Sequence, residues 1–513
     1  MKDPKKIKEI VLGEGKAGIE QIIAVARYGA KVKLSEKYCE RVRSSRKIVE
    51  KFVRDKKAMY GITTGFGDNW NKAISPEETE TLQRNILLSH ATSVGEPLEK
   101  EVVRGILMMM LLNMGQGYSG VRVELLRHIA ELLNHDVTPY APEHGSVGYL
   151  CPEAHIGLVL IGEGKAWYGE RLMTGAEALA EAGMKPITLS SKEGLAITSG
   201  TTSVTALTVF ALYDAINLAK AADVAGAMSL EALRGTTMAF NSKIQDVRPH
   251  PDQKKTADNI LRLLKDSEIA DKYRNYRLQD ALSIRCIPQL HGAYKKKLID
   301  ALEVISIEIN SCCDNPLVFP NGDGLVLMGC NADGSYVGME ADTICIAMTS
   351  LAKMSERRID RLLNHHVSEL PSFLIENTGL NSGFMITQYS AAGILGEMRV
   401  LSHPATVDNV STCANQEDYV SMGYNAARKA YKVSGLLEYV IAIELMCAAQ
   451  GMEFLAPLQP STPTGAVCKL IRSSVPKIEK DGFMNPHIEY IHDLIHEGII
   501  VSVVENIIGE LEI

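Results

Sequence analysis

The chain has 513 residues, 46% apolar and 23% charged, which is the composition of an ordinary globular protein with a substantial core. A net charge of −8 excludes the basic footprint of a nucleic-acid binder. Ten cysteines are scattered with no CxxC pair, and only Cys312 and Cys313 are adjacent. That usage points to reduced thiols in a cytoplasm, not to a disulfide framework.

Along the chain, "MKDPKKIKEI" lacks the apolar stretch of a signal peptide, and no uninterrupted apolar run reaches the length of a membrane span. Tyr60 opens "YGITTGFG", a loop made pliable by Gly61, Gly65 and Gly67. A tyrosine can act as a base only where nearby charge or hydrogen bonds lower its pKa from about 10. His90 follows an apolar run in "LLSHATSVG", where a lone histidine is usually a satisfied core residue. Then come two glycine-bearing junctions, "GQGYSG" and "HGSVG", of the kind that brings backbone close to a ligand or simply turns the chain. "GEGKA" is not a phosphate loop, because Ala166 stands where a serine or threonine should follow the lysine. No dinucleotide fingerprint lies between a strand and a helix.

The next 62 residues, Ile187 to Arg248, contain no proline, and Gly200 to Ala232 is apolar nearly all round, as in a helix inside a bundle. Arg285 in "QDALSIRC" could clamp a carboxylate through its bidentate fork. Leu290 to Asn310 keeps helical spacing, as do Ile344, Met348, Leu351, Ile359 and Leu362. Strand patterns are short, namely "GERLMTG" (Gly169 to Gly175) and "GLVLMG" (Gly324 to Gly329). Glu417 lies in a long polar loop, where a buried carboxylate would be informative. His492 and His496 have the i, i+4 spacing of zinc ligands but no obvious third ligand, so no metal is expected. The expected fold is mostly α, a long-helix bundle, with an N-terminal active-site domain over 1–199 and a helical bundle over 200–513.

Taken together, the motifs resemble those of the histidine and aromatic amino-acid ammonia-lyase family. The resemblance runs from about Tyr60 to Phe454 and rests on "YGITTGFG", "LQRNILLSH", "YSGVR", "GSVG", "GLVLIGEGKA", "KEGLAITSGTT", "SIRCIPQ", "CDNPLVF", "SERRIDRLL" and "LSHPATVDNVSTCANQEDYVSM". It implies the fumarase-like helical fold and a homotetramer whose active sites draw on several subunits. In that family an Ala-Ser-Gly triplet after "GSVG" cyclises to an electrophilic methylideneimidazolone. Here "GSVG" runs directly into Tyr149, and Leu150, Pro152, Ala154 and His155 fall into register if the triplet is simply deleted. Tyr149 stands where the family has aspartate, and Glu153 where it has leucine. Other departures gather around the same place: Leu282 for a tyrosine, Ser199 for an asparagine, and Ala332 and Asp333 for Phe and His. The expected cofactor is therefore none.

The resemblance implies Tyr60 as the base for the β-proton and Arg285 as the carboxylate clamp. Glu417, His90 and Asp333 are the further catalytic candidates. Asn331, Ser199, Gln279, Gln416, Tyr149 and Glu153 are the candidate substrate-binding residues. Without an electrophile, ammonia is a poor leaving group, whereas a quaternary ammonium departs as a neutral amine. That argument predicts trimethylamine elimination from a histidine betaine, as in the ergothionase branch, with Tyr149 or Tyr60 facing the cation at about 0.5–2 kcal/mol. Two alternatives stay open: an ordinary histidine ammonia-lyase whose matured triplet has dropped out of the written sequence, and a catalytically silent paralogue. No nucleic acid or membrane partner is expected.

Overall fold

The computed structural model describes residues 2–513, which are mostly helical. The chain folds into two compact units, each discontinuous in sequence. The first comprises Met1–Phe210, Leu302–Asp342 and Pro404–Arg428; the second comprises Ala211–Ala301, Thr343–His403 and Lys429–Ile513.

Among the described residues, the first unit holds nine short strands: β1 (Glu9–Leu12), β2 (Lys31–Leu34), β3 (Val94–Pro97), β4 (Val137–Pro139), β5 (Pro142–His144), β6 (Lys165–Tyr168), β7 (Arg171–Thr174), β8 (Leu317–Phe319) and β9 (Leu325–Leu327). β1 and β2 pair in parallel, β4, β6 and β7 form an antiparallel sheet in that order, and β8 and β9 make a hairpin. The two strands legible in the sequence are β7 and β9. The pairing that matters most for function is antiparallel β3–β5, which sets Val94 opposite His144. It brings the chain just after His90 beside the chain just before "GSVG".

Helices place the rest. In α1 (Glu36–Arg54), Ser35 caps the first turn by accepting from the Tyr38 amide, and Lys51 and Arg54 complement the dipole at the last turn. One face of α1 buries Ile48, Val49 and Phe52 against Ile62, Val318 and Val326, so the loop that carries Tyr60 is anchored on the β8–β9 hairpin. α2 (Thr79–His90), α3 (Cys151–Leu160) and α4 (Glu193–Thr198) pack against one another. Burying apolar side chains such as Leu87, Ile156 and Ile197 stabilises such contacts by about 1.5–3 kcal/mol each.

The remaining long helices follow the apolar periodicity: α5 (Thr202–Ala232), α6 (Ile287–Glu308), α7 (Ser335–Leu363) and α8 (Gly423–Glu453). In the second unit these helices bury charge in pairs, Lys295 with Asp223 at 2.6 Å and Arg358 with Glu444 at 2.5 Å. One expectation needs correction: Glu193–Ala232, taken as one run, and Gly423–Glu453 are long and apolar enough to cross a membrane. Interruptions such as Asp214 and Lys220 hid this in the sequence. Their apolar windows are 100% and 83% buried inside the protein, as core helices are. On α9 (Asn485–His496), His492 and His496 both bond Glu438 at 3.1 Å. Among the described residues no cluster of three or more ligand side chains is arranged to hold a metal.

Candidate active site

The Tyr60 hydroxyl accepts a hydrogen bond of 3.0 Å from the Gly67 amide. Gly67 has φ +54°, and a Cβ there would lie 2.4 Å from Cys413 Sγ, so the close approach of these two loops requires glycine. Burial raises the Tyr60 pKa above the ordinary tyrosine value; the Gly67 amide opposes this, and the charges of Glu417 and Cys413 reinforce it. His90 ends α2 and shares a 2.9 Å hydrogen bond with Ser89 Oγ through Nδ1. Burial holds its pKa below the ordinary histidine value, with Glu417 pulling the other way.

The turn after β5 is tightly held. Ser146 Oγ donates to the Tyr149 carbonyl at 3.0 Å, and the Leu150 amide donates to the Thr198 carbonyl at 3.1 Å. Leu150 has φ +79°, a conformation that costs a branched residue about 1–3 kcal/mol and persists only where the surroundings impose it. The Tyr149 hydroxyl donates to Glu417 Oε2 at 3.1 Å. Burial pushes the Tyr149 phenol far up, and the adjacent Glu417 carboxylate pushes it further. Glu153 lies beneath, fully buried, with Oε1 accepting from Thr202 Oγ1 at 2.9 Å and from the Ser203 amide at 3.0 Å.

Glu417 itself sits on a tight turn. Cys413, Ala414 and Asn415 all have φ between +51° and +69°, and the turn is closed by the Thr412 amide donating to the Glu417 carbonyl at 2.7 Å. Thr412 Oγ1 adds a 3.2 Å bond to Glu417 Oε2. The first unit thus brings Tyr60, His90, Tyr149 and Glu417 together. Asp333 is an electrostatic neighbour of Tyr149, and its carboxylate accepts from the Ser335 amide at the start of α7, at 3.0 Å. Asn331 donates to the Cys312 carbonyl at 3.3 Å, Ser199 is buried just before α5, and Gln416 is exposed. Gln279 and Arg285 belong to the second unit: Gln279 is exposed, and the Nε of Arg285 is buried without a hydrogen-bond partner. Sequence reasoning missed Thr412, Thr202 and the role of the Gly67 amide. Only Gly67 carried a signal, as the last glycine of "YGITTGFG".

A family profile described as aromatic amino acid lyase matches residues 17–473. The chain belongs to that family. A histidine ammonia-lyase of Alkaliphilus oremlandii is 45% identical over 97% of this chain and 99% of its own length. The crystal structure of the histidine ammonia-lyase from Trypanosoma cruzi is 38% identical, with a TM-score of 0.91 over 97% of this chain and 95% of that one. The ergothionase from Treponema denticola is 27% identical, with a TM-score of 0.90 over 96% of this chain and 100% of that one.

These comparisons overturn the expectation of trimethylamine elimination from a betaine. Curated histidine ammonia-lyases match at 41–45% identity over nearly the whole chain, against 27% for the ergothionase. The error has a physical origin: a missing triplet constrains one step of the chemistry, whereas similarity over the entire chain samples the whole binding site. The triplet that cyclises in the family would stand between Gly148 and Tyr149, and the written sequence has none there.

Proposed function

We propose that the chain is a carbon–nitrogen lyase of the histidine ammonia-lyase type, removing the β-proton of histidine and releasing its amine, with the family's matured Ala-Ser-Gly triplet dropped out of the written sequence. The observation that carries this reading is the 41–45% identity to curated proteins of that name over 95–98% of this chain. Tyr60 is the base. Burial raises its pKa, the Gly67 amide opposes that by stabilising the phenolate, and a substrate ammonium beside it acts in the same direction as the amide. Glu417 influences Tyr60, His90 and Tyr149 alike, which makes it the charge against which an imidazole substrate is oriented. Arg285 is the carboxylate clamp, and its free Nε supports that role. The family resemblance supports a homotetramer with shared sites, in which clamp and base need not come from one copy. Ten free cysteines support a reducing cytoplasm.

The test is direct. Purified protein with histidine should release ammonia and build the ultraviolet absorbance of urocanate, and Tyr60→Phe should abolish both. An intact mass above that of 513 residues by a dehydrated Ala-Ser-Gly would restore the family's electrophile. A silent paralogue is the second reading, favoured by the direct Gly148–Tyr149 junction without the triplet and by the Tyr149–Glu417 bond across the site. It predicts no ammonia from the chain alone, and that result overturns the first reading.

A further inference from the structure

Glu153 is an unusual side chain to find where it is. It is fully buried, yet only one of its oxygens is hydrogen-bonded; Oε2 has no partner, and neither does the buried hydroxyl of Ser203. An ionised carboxylate left half-solvated in a core costs several kcal/mol, which makes a purely passive role expensive. Its bonded oxygen joins the first turn of α3 to the first turn of α5, through Thr202 Oγ1 and the Ser203 amide. Just before α3, the Leu150 amide makes a second tie, to the carbonyl of Thr198 at the end of α4. Leu150 is itself strained, and just before it stands Tyr149, whose hydroxyl reaches Glu417.

We propose that Glu153 is a positioning residue, the clasp that fixes the Tyr149 turn to the start of α5 and thereby sets where Tyr149 meets Glu417. This rests on the lyase reading for its kinetic consequence only. Burial pushes the Glu153 pKa up, with Ser203 and Thr202 opposing. Cys151 on its own helix and Tyr424 on α8 are the ionisable groups that feel its charge, and both have raised pKa values. His90 and His155 on the packed helices are held below the ordinary histidine value by burial. On those helices Arg84 pairs with Glu163 and Glu193 with Arg122.

Two substitutions separate the clasp from mere packing. Glu153→Gln keeps an acceptor for Thr202 Oγ1 and the Ser203 amide, and it cannot ionise. Glu153→Leu keeps the volume and loses that acceptor. Hydrogen exchange of the 146–153 segment reads the clasp without any substrate: it should speed up about tenfold in Glu153→Leu and stay at the parent rate in Glu153→Gln. With histidine, Glu153→Leu should lose about ten- to a hundredfold in kcat with little change in KM. The parent stability should also fall as pH rises from the unfolded glutamate pKa of about 4.3 towards the higher folded value. The glutamine variant should lack that fall. Parent-like exchange in Glu153→Leu, or equal damage in both variants, overturns the proposal. A parent protein inert towards histidine overturns only the lyase reading, because the exchange result still stands.

Discussion

Two tyrosines share the candidate site, and they are wired in opposite senses. Tyr60 receives a hydrogen bond from the Gly67 amide, which favours its anion. Tyr149 gives its own hydrogen to Glu417, which favours the neutral phenol. Burial raises both pKa values, but only at Tyr60 does a hydrogen bond push back. The same side chain can therefore serve as base in one loop and as a neutral donor in the next. What separates them is one backbone amide and one carboxylate.

The largest test of that contrast is Tyr60→Phe. It should lower kcat by about 10²–10⁴-fold, the usual worth of a positioned base, with KM nearly unchanged. If Tyr149→Phe proved the more damaging of the two, the assignment of roles would be reversed. Glu417→Gln comes next, with a loss of about tenfold or more in kcat/KM, because one charge acts on both tyrosines. Its pH profile is the sharper readout. Glu417 raises the Tyr60 pKa, so removing the charge should move the rising, low-pH limb of kcat/KM to lower pH. Gly67→Ala should move that limb the other way. A side chain at φ +54° costs about 1 kcal/mol and must displace Cys413, which pulls the amide from Tyr60 and costs about tenfold in rate. Limb shifts in the same direction for both variants would break the comparison.

How much of this was legible beforehand follows the same division. The long helices were readable because apolar periodicity over 20–30 residues reports burial directly, as in α5 and α7. Tyr60, His90 and Glu417 were readable as motif members, and the structure gathers them in one unit with Tyr149. The contacts that decide their chemistry were not. Gly67 reaches Tyr60 because a loop doubles back over seven residues, and Glu417 reaches Tyr149 across 268. No local pattern encodes such pairings. Thr412 is the clearest case: it orients Glu417 through a turn of three consecutive left-handed residues, none of them glycine. Nothing in "STCANQED" announces that turn. The missing triplet misled for a related reason. It bears on one step of the chemistry, whereas the choice of substrate depends on the whole binding site.

Tyr149→Phe is the smallest effect and the cleanest separation of the two tyrosines. The substitution keeps the ring and removes one hydroxyl, leaving Glu417 still bonded to Thr412. A half-buried hydrogen bond of this kind is worth about 1 kcal/mol, so the midpoint of thermal unfolding should fall by a few degrees or less. The pH dependence carries the argument. A phenol whose folded pKa lies above its unfolded value of about 10 contributes stability that is complete below pH 10 and is lost as pH rises beyond it. Phenylalanine has no such term. The gap between parent and variant should therefore be constant from neutral pH to about 9 and should narrow above about 10. A gap that widened in alkali would mean that Tyr149 ionises more readily in the folded protein than in the unfolded chain. Tyr149 would then be a second candidate base, and the two tyrosines would no longer be opposites.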